Sequence, residues 1–142
     1  MTTKRFLIDL TDARFFTPEN ADVLAFIRRV NPFAHTDVGT IVFDCADAID
    51  GAEAYCPLPS SCAYVVLHTP SNRIVAIAYG QRGLAVRLGA AAQAEAISAG
   101  GRPKGDIGTD WVEIDPWPTS RAPEQRSACE WMRRAYADAL GA

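Results

Sequence analysis

The sequence has no long apolar run and lacks several motifs that identify metal and nucleotide sites. No run of apolar residues approaches the roughly 18 needed for a transmembrane helix. The apolar stretch at residues 6–10 is interrupted by Asp9 and has no small-residue cleavage site after it, so we predict no signal peptide. Neither a Cys-x-x-Cys pair nor a Walker sequence occurs. We therefore predict a cytoplasmic protein with no membrane partner, no metal and no cofactor.

Lysine is scarce, since Lys4 and Lys104 are its two occurrences and arginine supplies 12 of the 14 basic residues. The formal net charge of −3 argues against nucleic acid as a partner. The charge is unevenly distributed: residues 37–60 carry five acidic residues and no basic one, and residues 61–105 carry five basic residues and one acidic one. Adjacent segments of opposite charge can neutralise each other within one chain or across a homodimer.

Cysteine is too sparse for the disulfide frameworks of small secreted domains, and no export signal precedes it. We therefore predict reduced, mostly buried thiols. One pairing stays open, because Cys56 and Cys62 flank a proline-rich turn and could bond on oxidation if their Cα atoms lie within about 7 Å. The four cysteines are Cys45, Cys56, Cys62 and Cys129.

Strand and helix patterns alternate along what we predict to be a single domain over residues 1–142. A chain of 142 residues with 49% hydrophobic residues suits one core. The predicted order is β-α-β-β-β-β-α-β-α, with an irregular connection at 46–59. Strands are predicted at residues 4–10, 40–45, 62–69, 73–79, 84–88 and 111–115, and helices at residues 18–30, at 89–99 and from about residue 123.

The stretch from residue 62 to residue 88 determines the predicted fold class. Its three strands are joined by connections of about four residues, which are too short for parallel crossovers. The middle strand, 73–79, is apolar at both alternating sets of positions, so it should lie centrally and be covered on both faces. We predict an α+β fold in two layers, a mostly antiparallel sheet with helices packed on it. The alternative is a curled, partly barrel-like sheet.

Apolar residues at helical spacing indicate which face of each terminal helix is buried. In the first helix the stripe is Val23, Phe26, Ile27 and Val30. In the last helix it is Ala128, Trp131, Met132, Ala135 and Ala139.

The acidic residues Asp44, Asp47 and Asp50 lie three apart, which is not the ligand spacing of an EF-hand loop. A solvated acidic face is the favoured interpretation.

The first candidate ligand site is a shallow pocket on the predicted meander. His68, Tyr79 and Arg87 fall on neighbouring strands, and their polar ends would meet if the strand faces coincide. The favoured interpretation is that these side chains cover an apolar sheet with their polar ends in water.

The second candidate site is the glycine-rich segment 100–110. Arg102 and Lys104 could meet an anion there, although a mobile surface loop is the favoured interpretation because glycine is common in loops. Arg82 adds a cation in a nearby turn. Trp111 and Trp117 flank the end of the segment, and periodicity does not decide whether they are core or surface.

Two functional hypotheses remain. The first is a non-catalytic binding or interaction domain that forms homodimers, because no organised catalytic set is evident. Cys62 and His68, for example, would lie about 20 Å apart along one strand. The second is an enzyme or sensor for a small anionic metabolite, using the cationic residues above with His68 or Tyr79 for proton transfer.

Overall fold

The computed structural model describes residues 6–9, 17–30, 34, 36–58, 63–80, 83–115 and 128–140. The strands are β1 (Phe6–Asp9), β2 (Ala52–Leu58), β3 (Tyr64–His68), β4 (Arg73–Tyr79), β5 (Gly83–Arg87), β6 (Arg102–Pro103) and β7 (Trp111–Ile114). The helices are α1 (Ala21–Val30), preceded by a 3-10 turn at Pro18–Asn20, then α2 (Thr36–Asp47), α3 (Ala90–Ser98) and α4 (Ala128–Leu140).

The seven strands form one open sheet in the order β1-β2-β3-β4-β5-β7-β6. The pair β1–β2 is parallel and the other five pairs are antiparallel. The fold class is therefore α+β, and the predicted order of elements is confirmed, with α2 and the two-residue strand β6 in addition. The predicted meander is confirmed as β3, β4 and β5, with β4 at the centre of the sheet. The sheet does not close, so the barrel-like alternative is not the one adopted.

Helices cover both faces of the sheet. One core contains the buried residues of α2, α3 and α4, which pack against alternate positions such as Ala76 and Ala78 of β4. The other contains α1, which packs against Ile74 and Ile77 of the same strand. The sheet and the helices α2, α3 and α4 form the predicted two layers. Helix α1 packs on the opposite face of the sheet. Successive side chains from Ala76 to Ala78 point to opposite faces, and an irregularity in the pairing of β4 with Val66 and Leu67 of β3 places Ile74 on the α1 face.

The strand predicted at residues 40–45 is wrong, because these residues lie inside α2. Val38, Val42 and Cys45 are all buried at spacings of four and three, which is a helical stripe. The β-branched and aromatic content of residues 41–43 favoured a strand, but packing against the sheet outweighed that local preference. The strand lies instead in the connection predicted to be irregular, where β2 pairs with β3.

The buried stripes of the terminal helices follow the predicted pattern with one exception. All five predicted positions of α4 are buried. In α1, Val23, Phe26 and Ile27 are buried with Leu24, whereas Val30 is 48% exposed at the last residue of the helix. Each large apolar side chain that is fully buried contributes about 1.5–3 kcal/mol relative to exposure. In the part of the chain that the structure covers, no helix has the length and apolarity to cross a bilayer.

A disulfide joins α2 to α4, which contradicts the prediction of reduced thiols. Cys45 and Cys129 are 84 residues apart in sequence, and their Cα atoms lie 4.9 Å apart, within the usual range for disulfides. No local pattern indicates this pairing, because the two helices meet only when both pack on the same face of the sheet. The side chains of Cys56 and Cys62 lie outside the described residues, so their pairing is untested.

Candidate functional site

Three strands and one helix have their ends at the same edge of the sheet. Arg73 begins β4, Arg87 ends β5, and Asp110 directly precedes β7. Because β4, β5 and β7 run antiparallel to their neighbours, these three residues come to one edge. The chain then turns through Leu88 and Gly89 into α3, whose N-terminus lies at the same edge.

A cleft of about 400 Å³ opens at this edge, and we refer to it as the α3 cleft. Its sheet side is charged, whereas its helical walls from α3 and α4 are built largely of alanine. The described residues that line it are Arg73, Arg87, Leu88, Gly89, Ala90, Gln93, Asp110, Ala135, Asp138 and Ala139.

Arg87 is 5% exposed, both of its terminal nitrogens donate to protein groups, and its Nε lies in an ion pair without making a hydrogen bond. One terminal nitrogen lies 2.5 and 2.6 Å from the two carboxylate oxygens of Asp22. The other terminal nitrogen donates to the carbonyl of Glu19 at 2.6 Å, and Nε lies 3.1 Å from Oδ2 of Asp110. Two carboxylates therefore balance one buried guanidinium, as burial of a charge requires. This arrangement joins α1 to the sheet edge.

Trp111 is a core residue, being 1% exposed. Its indole Nε1 donates to Oδ2 of Asp22 at 3.2 Å, and the guanidinium of Arg87 lies 4.9 Å from its ring centroid. Close approach here depends on Gly108, since a Cβ at that position would lie 2.5 Å from the same carboxylate oxygen. Trp111 therefore supports Arg87 and does not form a binding surface. Trp117 lies outside the described residues.

Of the two arginines in the α3 cleft, Arg73 makes fewer close polar contacts than Arg87. Its terminal nitrogen is 3.5 Å from Oδ2 of Asp110, the oxygen that already faces Nε of Arg87. Its own Nε is buried and has no hydrogen-bond partner among the described residues. The side chain is 23% exposed, so it is accessible from the cleft. Arg73 therefore has donor capacity left for a ligand.

The α3 side of the cleft also presents donors. The first amides of a helix have no partner within it, and the helix dipole favours negative charge there. Asp138 of α4 already uses this property, because its Oδ2 accepts a hydrogen bond from the Gly89 amide at 2.8 Å. Gln93 anchors the same turn by donating from Nε2 to the carbonyl of Leu88 at 2.8 Å.

The structure separates the residues of the first predicted pocket. His68 lies on the face under α4, where its ring packs 4.5 Å from the ring of Tyr136. Tyr79 and Arg87 lie on the opposite face, and Tyr79 pairs in register with Gly83 at the other end of β5. The three side chains therefore do not converge, because alternation puts His68 on the other side of the sheet.

His68 is 2% exposed, and its Nδ1 lies 2.6 Å from Oγ of Ser71 in the following turn. Its Nε2 is buried without a hydrogen-bond partner in the described residues. Burial lowers the pKa of His68 below its ordinary 6.5, and the positive charge of Arg73 adds to the effect. The imidazole is therefore neutral in the folded protein at neutral pH.

Replacing His68 with glutamine is expected to flatten the pH dependence of stability below about pH 6.5. The unfolded chain binds the proton more readily than the folded one. The contribution of His68 is therefore present above 6.5 and lost as the pH falls through the lowered folded-state pKa. Urea unfolding at several pH values, with the wild-type curve subtracted, measures this difference. Parallel curves for the two proteins would contradict it.

Tyr79, Lys104 and Arg102 form a second cluster, away from the α3 cleft. The Tyr79 hydroxyl donates to Oε2 of Glu113 at 2.5 Å, and Arg102 lies 2.5 Å from Oε1 of the same carboxylate. Burial, reinforced by Glu113, raises the pKa of Tyr79 far above its ordinary value. Lys104 Nζ lies 5.1 Å from the Tyr79 ring and 3.3 Å from Oδ2 of Asp106. Proton transfer by Tyr79 near neutral pH is therefore disfavoured.

The segment predicted to be a mobile loop has defined structure. It begins with β6 and is held by a hydrogen bond from the Lys104 amide to the Trp111 carbonyl at 2.9 Å. The Lys104 carbonyl accepts from the amides of Ile107 and Gly108, and Ile107 is buried. Its polar groups thus satisfy one another. Arg82 lies outside the described residues.

Sequence reasoning included Arg87 but missed the other polar residues of the α3 cleft. These are Arg73, Gln93, Asp110 and Asp138, which come from four separate elements. A weak signal existed for Asp110 and Arg73, since each stands at a predicted strand boundary. Nothing in the sequence connected Asp138 with Gly89, because that contact depends on how α4 packs.

Among the described residues, no group of three or more His, Cys, Asp or Glu side chains is placed to hold a metal ion. The acidic residues predicted as a solvated face are exposed at Asp44 and Asp50 and half-buried at Asp47. No protein-family model, curated protein or solved structure matches the chain.

Proposed function

We propose that this chain is a non-catalytic binding domain that holds a small anionic ligand in the α3 cleft. The observation that carries the proposal is the state of Arg73. It lines the cleft with a side chain that is 23% exposed, and its ion pair with Asp110 is long, at 3.5 Å, because Asp110 lies closer to Arg87. A ligand carboxylate or phosphate on the exposed side of Arg73 would supply a closer acceptor for its terminal nitrogens.

The surroundings of Arg73 support an anion of modest size. A volume of about 400 Å³ lies within the range of small-molecule sites. The amides at the start of α3 can add hydrogen bonds to the same anion. The alanines of α3 and α4 leave an apolar wall for the remainder of the ligand.

A non-catalytic role is supported by the residue types in the α3 cleft. No serine, threonine, cysteine, histidine, lysine or tyrosine is among its described lining residues, so the usual nucleophiles are missing there. Both of its carboxylates are occupied, Asp110 by Arg87 and Asp138 by the Gly89 amide.

Inorganic phosphate and succinate are suitable first probes, measured by thermal shift and by calorimetry. A ligand at 100 times its dissociation constant should stabilise the protein by about 2.7 kcal/mol. If neither probe, nor a wider panel of nucleotides and carboxylates, changes the melting temperature, the proposal is wrong.

Two substitutions in the α3 cleft are expected to shift anion affinity in opposite directions. Arg73→Ala should weaken binding about tenfold or more, because a charge-assisted hydrogen bond contributes roughly 1.5–3 kcal/mol. Asp138→Asn should strengthen it a few-fold, since it removes a negative charge while keeping an oxygen for the Gly89 amide. Calorimetry with both probes measures each change.

Arg102→Ala is the matched control, because Arg102 is 78% exposed and belongs to the cluster around Tyr79. If this variant lost affinity and Arg73→Ala did not, the anion would bind the glycine-rich segment of the second hypothesis. If Arg73→Ala bound both probes as tightly as wild type, Arg73 would not be part of the anion site.

Homodimer formation and cytoplasmic location remain predictions. The largest exposed apolar side chains in the described residues, Val30 and Ile97, lie on helices that cover opposite faces of the sheet, so they do not form one patch. Light scattering over a concentration series tests the dimer, and a constant monomer mass would contradict it. The disulfide between Cys45 and Cys129 removes one argument for the cytoplasm, where thiols are usually reduced.

A further inference from the structure

The disulfide and the α3 cleft are connected through α4. Cys129 is the second residue of this helix, and its partner Cys45 lies on α2. Ala135, Asp138 and Ala139 of the same helix form one wall of the cleft, about 9–15 Å further along the helix axis. The covalent link therefore fixes the beginning of an element whose second half shapes the site.

Other contacts would hold α4 on the sheet without the disulfide. Met132 and Ala135 are fully buried, and Arg134 reaches Glu95 of α3 at 3.0 Å. The hydrogen bond from the Gly89 amide to Asp138, in contrast, is at the exposed cleft and depends on the position of α4. Opening the disulfide should therefore loosen α4 and disturb the cleft wall without unfolding the domain.

We propose that the Cys45–Cys129 disulfide controls the α3 cleft, so that its reduction by a dithiol weakens ligand binding. This inference rests on the proposed function. Cys45 is 1% exposed, whereas Cys129 is only partly buried, so Cys129 is the half of the disulfide that an external thiolate would attack. Attack there forms a mixed disulfide and expels the Cys45 thiolate, which takes up a proton. The second thiol of the reductant then releases Cys129, leaving two protein thiols and an oxidised dithiol.

The test compares the full chain before and after treatment with dithiothreitol. Hydrogen exchange of residues 128–140 reports on α4, and calorimetry with inorganic phosphate and succinate reports on the cleft. We expect faster exchange in α4 and an apparent Kd raised about threefold, as when about one third of molecules keep the competent cleft. Cys45→Ala/Cys129→Ala should reproduce the reduced protein and should not respond to dithiothreitol.

The experiment distinguishes failure of this inference from failure of the proposed function. Equal affinity in the oxidised and reduced proteins overturns this inference and leaves the proposed function intact. No binding by the oxidised protein overturns both. Loss of the near-ultraviolet circular dichroism of the tryptophans on reduction also overturns the inference, because the disulfide would then hold the whole domain and not the cleft wall.

Discussion

Replacing Arg87 with alanine is expected to lower the free energy of unfolding by about 3 kcal/mol. The substitution leaves the carboxylates of Asp22 and Asp110 without their cation and opens a gap beside the Trp111 ring. Removing one partner of a buried ion pair costs about 3–5 kcal/mol. The lower end applies because the side chains of Asp22 and Asp110 are 30% and 33% exposed. Urea unfolding at neutral pH measures the change.

Two controls identify the cause of that loss. Arg102→Ala breaks an ion pair whose arginine is 78% exposed, and pairs of that kind contribute about 0–1 kcal/mol. Arg87→Lys keeps the charge but loses the double contact with Asp22, so it should fall between wild type and Arg87→Ala. If Arg87→Ala were as stable as Arg102→Ala, the buried arginine would not be a central element of the fold.

Removing the disulfide is expected to cost about 4 kcal/mol, because the closed loop is long. Cys45 and Cys129 are 84 residues apart, and the loop-entropy relation gives a larger effect for longer loops. The corresponding fall in melting temperature is about 13 °C for a domain of 142 residues. Differential scanning calorimetry of Cys45→Ala/Cys129→Ala against the oxidised wild type measures both quantities.

Reductant provides the control for the disulfide. Dithiothreitol should lower the melting temperature of the wild type toward that of the double variant and leave the variant unchanged. The prediction would be contradicted if the wild type melted at the same temperature with and without reductant and if mass spectrometry showed four free thiols.

The central meander was predictable because its signals are local. Apolar residues alternate at both sets of positions from Arg73 to Tyr79, and short turns on either side require antiparallel pairing. The signals for the two ends of α3 are also local, because glycines flank the helix. Gly100 has a φ of 106°, a conformation that favours glycine. Residues 40–45 were misassigned because a short β-branched run fits a buried helix as well as a strand.

The candidate site was much less predictable. Arg87 was recognised as a charged residue at a strand end, but its role depends on Asp22, which is 65 residues away, and on Asp110. The sequence predicts that His68 and Tyr79 lie on neighbouring strands, but it does not show that their side chains point to opposite faces of the sheet. Whether Trp111 is buried could not be predicted, because the same alternating pattern fits a core residue and a surface residue.

By itself, the sequence determined the α+β class, the meander and the buried stripe of α4, since each follows from apolar spacing within a few consecutive residues. Only the tertiary structure decided that α2 is a helix, that Cys45 meets Cys129 and that Arg73 faces a cleft. Those features depend on which elements pack together, and contacts between residues distant in sequence leave no periodic trace in it.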